Sequence, residues 1–452
     1  MLLFIKKYRI LLFSLLFLLA EGSNAAGDNS LSSATSASEG SAVTLSIGTD
    51  VPGDVQYDNP LSLQEAERLA LENDSLTKKI DAEAVSLKQK GVAAARLPDP
   101  KLKLGLMNLP TDTFDLQQEP MTQQVIGLQL MFPPYNMLDH KGEQLTLKGE
   151  AKSLNAVNRQ RETLSSVRNA WLKVYLQHHA GEIVKKSEVL FTQLVKITKS
   201  KYRSGQSSQQ AVIRAELELS LLQDRQIQIE GKKDQALATL AKWVGTSEKN
   251  RPLSLDALTI PEIGERQTLK LAIDKHPAIQ ASVVNMNAAK AGIEVARSRN
   301  HPGWMMDLSY GRREQSLAGV ERADFLSLMF VVDLPFFTSN RQDRWIEASE
   351  KEYNSAQYSV EERKKTLKHR LDAEYTKWKR LRERLQHFRG NVFPQASQNA
   401  QAALKAYKSQ VTGFDPLMRA RLMELKIKLQ ALKILVNRAQ AQVNLLYITG
   451  DG

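Results

Sequence analysis

Residues able to carry chemistry occur in this chain, but none has the spacing of a catalytic site. Cysteine is absent, and there is no glycine-rich phosphate loop and no Gly-x-Ser-x-Gly elbow. The paired carboxylates Glu361 and Glu362 fall on a predicted solvated helix face. His178 and His179 are adjacent, so their side chains should diverge on a helix, and no two histidines stand four residues apart. We therefore expect no enzyme, no cofactor and no dedicated metal site.

The first residues indicate export. Lys6, Lys7 and Arg9 precede an apolar run at 10–20 and small residues at 23–25, which predicts a cleaved signal peptide over 1–25. This apolar run is too short to span a bilayer as a helix. An exported chain without cysteine must be stabilised by helix packing or by association with other chains. The formal net charge of +12 could favour nucleic acid, but an exported protein seldom meets it, so we expect no nucleic-acid partner.

The chain repeats itself with a period near 200 residues, which indicates a duplicated half rather than a solenoid unit. At an offset of 202, Ala70 falls on Ala272 and Pro100 on Pro302; later, at 205, Gly245 falls on Gly450. The predicted organisation is a signal peptide at 1–25, a flexible leader at 26–60, a first repeat at 61–250, a linker at 251–265 and a second repeat at 266–452.

Each half is predicted to contain a helix, two strands and a very long helical hairpin. The strands show a period of two, and the offset of 202 preserves it, so both halves present equivalent faces. The long helices, near 138–202 and 340–407, would each extend on the order of 100 Å. Their apolar residues step by three and four, as in a coiled-coil seam. The returning helices are predicted at 209–244 and 415–447.

Strands of this length, apolar on one face and polar on the other, are typical of outer-membrane proteins. Four strands cannot close a barrel, and open edges are not tolerated in lipid, so several chains would have to pool their strands. Three chains would supply twelve. The alternative is an ordinary small sheet whose apolar face packs on the helices.

Taken together, the motifs of this chain resemble the outer-membrane efflux protein family, the TolC-like outer membrane factors, over nearly all of the mature sequence. The resemblance rests on the tandem halves and on ordered short motifs. They are Leu-Ala-Leu-Glu-Asn-Asp at 69–74, Leu-Ala-Ile-Asp-Lys-His-Pro at 271–277, Ala-Arg-Leu-Pro-Asp-Pro-Lys-Leu at 95–102 and Tyr-Arg-Ser-Gly at 202–205. Glu119-Pro120-Met121-Thr122, leading into a strand that ends at Phe132-Pro133, resembles the heavy-metal efflux branch.

The resemblance implies a mainly α protein with a membrane β-barrel. A homotrimer would pool its strands into a twelve-stranded barrel in the outer-membrane lipid, continued by a coiled-coil tube through the periplasm. The tube would dock on a periplasmic adaptor protein coupled to an inner-membrane efflux pump. The chain would then be a passive exit duct for metal ions or small toxic compounds. Two alternatives stay open: a periplasmic coiled-coil structural or adaptor protein, and the exit duct of a type I protein secretion system.

The resemblance also assigns roles to residues. The helix turns would form the adaptor-docking tip, with Gln410 standing where a glycine is expected, and the candidates there are Gly205, Gln206, Ser207, Thr412 and Gly413. Family members narrow the tube near the second turn with a tyrosine and acidic residues, so the aperture candidates are Tyr407, Asp415 and Arg419, although Arg419 departs from the acidic pattern. Asp415 could instead cap the returning helix.

The strand alternation predicts which side chains face lipid. Leu104, Leu128, Leu308 and Phe330 should face it. The neighbouring polar positions, which should face the lumen and tolerate change, are Lys103, Gln129, Asp307 and Asp333.

Overall fold

The computed structural model describes residues 59–255 and 260–450. The predicted signal peptide and almost all of the predicted leader lie outside these residues. None of the helices in the two described ranges has an apolar stretch long enough to cross a membrane.

The two halves contain the same elements in the same order. The first half consists of α1 (Leu63–Asn73), α2 (Ser75–Ala94), β1 (Lys101–Met107), β2 (Gln123–Phe132), α3 (Met137–Arg203) and α4 (Gln209–Val244). The second consists of α5 (Arg266–Ala272), α6 (Pro277–Ser298), β3 (Trp304–Arg312), β4 (Phe325–Val332), α7 (Gln342–His387), α8 (Phe393–Lys408) and α9 (Phe414–Thr449).

The second long helix is interrupted, whereas α3 runs unbroken for 67 residues. A single wide turn of π-helix, Phe388–Val392, separates α7 from α8. Pro394 follows at the start of α8. Because proline has no amide N–H to donate, the helical ladder must break near it, and a π turn accommodates the break without ending the helical course.

The four strands form one antiparallel sheet in the order β1-β2-β3-β4. The central pair joins the two halves, with Leu128 opposite Leu308. The halves are also joined through their helices, because α3 packs against both α6 and α9. The predicted seam on α3 lies in this helical core, where Val167, Trp171 and Val174 are buried.

Helices α2 and α3 approach each other unusually closely because small residues line their contact. A β-carbon added to Gly142 would lie 2.8 Å from the β-carbon of Ala95 and 3.0 Å from the carbonyl oxygen of Gly91. One heptad further along α3, a β-carbon on Gly149 would lie 3.0 Å from the carbonyl oxygen of Ala84. Gly142 and Gly149 are therefore packing positions of α3.

The first helix of each half is divided, although the sequence pattern predicts one continuous run from 63 to 97. Asp74, with ψ at 89°, ends α1 and caps α2 by accepting a hydrogen bond from the Leu76 N–H at 3.1 Å. At the equivalent position 202 residues later, His276 caps α6 by accepting from the Ala278 N–H at 3.2 Å. The two halves thus make the same break with different capping side chains.

The two caps differ in their electrostatics. Burial disfavours ionisation of Asp74, but hydrogen bonds from Thr163, Arg159 and Thr77 outweigh it and lower the pKa of Asp74 to about 2. Burial likewise disfavours the charged form of His276, although its Nε2 bonds the Tyr447 carbonyl oxygen at 3.2 Å, and the pKa of His276 falls to about 4. One cap is therefore an anion and the other a neutral ring at neutral pH.

We expect Gly142→Ala to destabilise the protein by about 1–3 kcal/mol, because its methyl group would overpack the contact with α2. The matched control is Gly231→Ala on α4, where nothing lies within 4 Å of the added β-carbon. That change should stabilise by about 0.5–1 kcal/mol through helix propensity. Thermal unfolding followed by circular dichroism measures both. Equal effects of the two substitutions would contradict the close-packing account.

We expect stability to fall as pH is lowered from about 6.5 to about 4, in part because of His276. Between these values the unfolded chain carries a proton on this histidine and the folded chain does not, so protonation favours unfolding. The loss approaches about 3 kcal/mol, since one pKa unit corresponds to about 1.4 kcal/mol. His276→Asn keeps a capping side chain that does not titrate. Unfolding measured across this pH range should show a shallower slope for the variant than for the wild type; identical slopes would rule out His276 as the cause.

Candidate functional site

The first candidate region is the turn between α3 and α4. Gly205 adopts the left-handed conformation expected of it, with φ at 73°, and its N–H bonds the Tyr202 carbonyl oxygen at 3.0 Å. The Gln206 N–H reaches back to the Lys201 carbonyl oxygen at 2.8 Å. Ser208 then caps α4 by accepting from the Ala211 N–H. The turn therefore closes one long helix and opens the next within five residues.

The turn between α8 and α9 has the same backbone without the glycine. Gln410 takes the left-handed position, with φ at 63°, and the Val411 N–H bonds the Ala406 carbonyl oxygen at 2.9 Å. A left-handed residue other than glycine costs about 1–2 kcal/mol. Gly413 is extended and is the N-cap position of α9.

This geometry refines the sequence-based docking candidates. The equivalents of Gly205, Gln206 and Ser207 at the 205-residue offset are Gln410, Val411 and Thr412, whereas Gly413 matches Ser208. Val411, an apolar residue that is 76% exposed, was not among the sequence-based candidates. Extending the offset through the whole turn would have identified it. We define the turn surface as Gly205–Ser207 together with Gln410–Thr412.

The two halves of the turn surface lie side by side. The Gln410 amide donates a hydrogen bond to the Gln206 amide oxygen at 3.2 Å. Beneath them, the Lys201 ammonium donates to the Tyr407 carbonyl oxygen at 2.9 Å. The turn surface is therefore continuous within one protomer.

Tyr407 does not line an opening in this conformation, because its side chain is buried. Its ring packs edge-on against Phe414 and lies 4.0 Å from the Lys201 ammonium. Its hydroxyl is 3.4 Å from that of Thr198 on α3. In the protomer the tyrosine therefore joins the second hairpin to α3, and its role at an aperture stays a prediction. Its first-half equivalent, Tyr202, is half exposed.

Asp415 is not a helix cap. The cap position belongs to Gly413, and Asp415 lies in the first turn of α9 without a capping hydrogen bond. Its carboxylate instead accepts a hydrogen bond from Arg214 of α4 at 3.1 Å, and both side chains are about half exposed. Arg419 lies one helical turn further along α9 and is exposed. Asp415 therefore forms a surface ion pair between the two returning helices.

The strand register confirms the predicted alternation of the sheet faces. Leu104, Leu128, Leu308 and Phe330 share one face. This face is apolar across all four strands and is not covered by the helices, since Leu104 is 72% exposed and Leu326 is 75% exposed. The alternative of a small sheet packed against helices is therefore wrong. The sheet presents its apolar face outward.

The opposite face mixes polar residues with methionine and valine, and it contains a cross-strand ion pair. Lys103 on β1 reaches over Gly127 on β2 to bind Asp307 on β3. Gly127 places no side chain between the two charged groups, and a β-carbon there would lie only 2.9 Å from that of Ser309. Asp307 is only 4% exposed. Removing Lys103 would leave the buried Asp307 carboxylate without its partner, so we expect Lys103 to be the polar-face position least tolerant of change.

Comparison with known proteins gives one family match. The model of the outer membrane efflux protein family matches residues 268–451. No curated protein matches the chain.

Several solved structures share the fold. The outer-membrane channel OprN has a TM-score of 0.73 at 15% identity, covering 86% of this chain and 90% of its own. CusC, described in terms of folding and transmembrane channel formation, has a TM-score of 0.73 at 14% identity, covering 88% and 96%. The outer membrane protein VceC of Vibrio cholerae has a TM-score of 0.71 at 14% identity, covering 86% and 96%. At these identities, the likeness establishes the architecture of the protomer.

Proposed function

We propose that the chain, whose residues 268–451 match the model of the outer membrane efflux protein family, is a member of that family and the outer-membrane channel component of a tripartite efflux system. In this role a homotrimer is a passive exit duct, and an inner-membrane pump acting through a periplasmic adaptor supplies the energy. The family consists of channels, in agreement with the expectation that the chain is not an enzyme. The observation that carries the proposal is the outward apolar face of the sheet.

This face suits lipid rather than water. Its side chains are large, apolar and mostly exposed in the single protomer; they include Leu102, Leu104, Leu106, Ile126, Leu308, Leu326, Leu328, Phe330 and Val332. An exposed apolar surface of this size marks a protein or membrane contact. Polar side chains on the reverse face, such as Lys103 and Asp307, suit a water-filled interior.

The sheet also has two open edges. Within the described residues, β1 and β4 each have a partner strand on one side only. Unpaired backbone groups are not tolerated in a bilayer, so the edges must pair with strands of other copies. Three copies supply twelve strands, an even number that closes a barrel.

Helical surfaces support the same assembly. On α4, Ile213, Leu217 and Leu221 lie four residues apart and are each more than half exposed. On α2, Val85 and Val92 lie seven residues apart and are each 57% exposed. These stripes have the spacing of coiled-coil seams and suit packing against helices of neighbouring copies. The 67 residues of α3 extend about 100 Å, enough for a tube reaching into the periplasm.

We assign the turn surface to the adaptor and the adjoining Asp415 to the aperture. Val411 gives the turn surface an apolar contact point, and the Gln206–Gln410 pair gives it a polar rim. Three copies of Asp415 around a threefold axis would form a ring that attracts cations, with Arg214 and Arg419 modulating its charge. For the cargo we propose metal ions or small toxic compounds, on the basis of the heavy-metal-type motif at 119–122.

A periplasmic structural or adaptor protein is less well supported. Such a protein would keep its sheet in water, where the exposed apolar face would be an aggregation hazard.

To test the barrel, we compare Leu308→Arg with Ser309→Arg, adjacent residues of β3 on opposite faces. We expect Leu308→Arg to impair trimer assembly, because an arginine facing lipid near the midplane costs about 2–4 kcal/mol, and Ser309→Arg to be tolerated. Heat-modifiable gel migration and conductance in planar bilayers measure the two outcomes. If Ser309→Arg impaired assembly more than Leu308→Arg, the assignment of the lipid-facing and lumen-facing sides would be the wrong way round. Cross-linking that finds only monomers in mild detergent would rule out the channel.

The aperture is tested with the two partners of one ion pair. Asp415→Asn should weaken block by divalent cations from the periplasmic side, because it removes charge from the ring. Arg214→Gln breaks the same pair but frees the carboxylate, so it should strengthen the block. Either change should alter stability by less than about 1 kcal/mol, as for an exposed ion pair. If single-channel recordings show the same change for both variants, Asp415 acts only as a link between α4 and α9.

A further inference from the structure

Three side chains on α3 converge in the structure, although two of them are adjacent histidines that helix geometry predicts to diverge. His178 and His179 do not diverge: their ring centroids lie 5.1 Å apart. Glu182, one turn later, reaches both of them. Its carboxylate oxygens lie 3.3 Å from His179 Nδ1 and 3.9 Å from His178 Nε2. One ligand atom from each residue falls within 4.8 Å of the other two.

The protonation of His179 is set by its second ring nitrogen. Nε2 lies 3.1 Å from the Leu255 carbonyl oxygen, which can only accept, so Nε2 carries the proton. In a neutral ring Nδ1 then has a lone pair, and it points at the Glu182 carboxylate oxygen 3.3 Å away. Two acceptors at this distance repel unless a second proton or a cation lies between them.

The same bond holds the imidazole in place. The ring of His179 also packs edge-on against Tyr175 at 4.3 Å, and Tyr175 and Leu255 belong to the buried core around Trp171. Metal-binding histidines characteristically donate their other ring N–H to a carbonyl or carboxylate, which fixes the tautomer and directs the free nitrogen at the metal. His179 is thus oriented before any ligand arrives.

We propose that His178, His179 and Glu182 form a binding site for a divalent transition-metal ion such as Zn²⁺. Ligand atoms bound at 2.0–2.1 Å in a tetrahedron lie about 3.3–3.4 Å apart, which is the spacing of His179 Nδ1 and the Glu182 oxygen. The site selects Zn²⁺, Co²⁺, Ni²⁺ or Cu²⁺ over Mg²⁺ or Ca²⁺, because imidazole suits the former ions and oxygen ligands the latter. The fourth position is open to water or to an external ligand.

The metal would strengthen a junction in the fold. His179 bonds Leu255, in the segment between the two repeats, so a metal on its Nδ1 fixes α3 and this segment in one geometry. Glu182 and His178 are 49% and 34% exposed at the side chain, and the site is therefore accessible to ions from solvent. The proposal rests on this geometry alone and is independent of the channel function.

The test is a Zn²⁺ titration of the full chain in detergent, by calorimetry and by the shift in unfolding temperature. His178→Ala and Glu182→Gln should each weaken binding at least tenfold and reduce the stabilisation that the metal gives. The control is His140→Ala. His140 also faces a glutamate, Glu143, one turn further along α3, but that pair has no second histidine beside it. It should leave binding unchanged.

Co²⁺ absorption and circular dichroism distinguish loss of the metal site from loss of folding. Co²⁺ bound to the wild type should give the visible absorption of a tetrahedral site, and Glu182→Gln, which preserves side-chain shape, should abolish it. Circular dichroism confirms that the variants fold. Absence of stoichiometric Zn²⁺ binding, or equal weakening by His140→Ala, would overturn the proposal and identify the cluster as a histidine–glutamate ion pair.

Discussion

The open edges of the four-stranded sheet constrain the rest of the structure. In the described part of the chain, the outer backbone groups of β1 and β4 have no partner strand, and one face of the same sheet is apolar and uncovered. Neither feature can be satisfied within one protomer in a membrane, where there is no water to bind free amide groups. In the proposed channel the sheet therefore requires both lipid and further copies of itself, and the helical stripes on α2 and α4 would be contacts between copies.

The duplication preserves backbone geometry more strictly than residue type. The same helix break is capped by Asp74 in one half and by neutral His276 in the other. The same left-handed turn is made by Gly205 and by Gln410, which carries strain that glycine avoids. Once a backbone geometry is needed for packing, several side chains can supply it, and each half adapts its version to its own neighbours.

Much of the fold could be predicted from the sequence, because it depends on periodicity. Alternation identified the strands and their faces, and three- and four-residue steps identified the long helices. The break at Asp74 was missed because the apolar pattern continues through it. The site was less predictable, because it depends on tertiary contacts. The partner of Asp415, Arg214, is 201 residues away in sequence, and the burial of Tyr407 against α3 leaves no local signal. The convergence of His178 and His179 on Glu182 depends on side-chain rotamers that helical geometry alone does not fix.

The contacts between helices next to the turn surface differ greatly in strength, and this difference decides which of them gives way first. Tyr407 joins the second hairpin to α3 through a buried ring, and burying a large apolar side chain contributes about 1.5–3 kcal/mol. The Arg214–Asp415 pair joins α4 to α9 at the surface and contributes at most about 1 kcal/mol. If the proposed channel opens at this end, separation begins at the weaker contact. The second hairpin then stays with α3, and a shift of α4 away from α9 must also loosen the buried contacts that Ala215, Leu222 and Ile229 of α4 make in the core along α3.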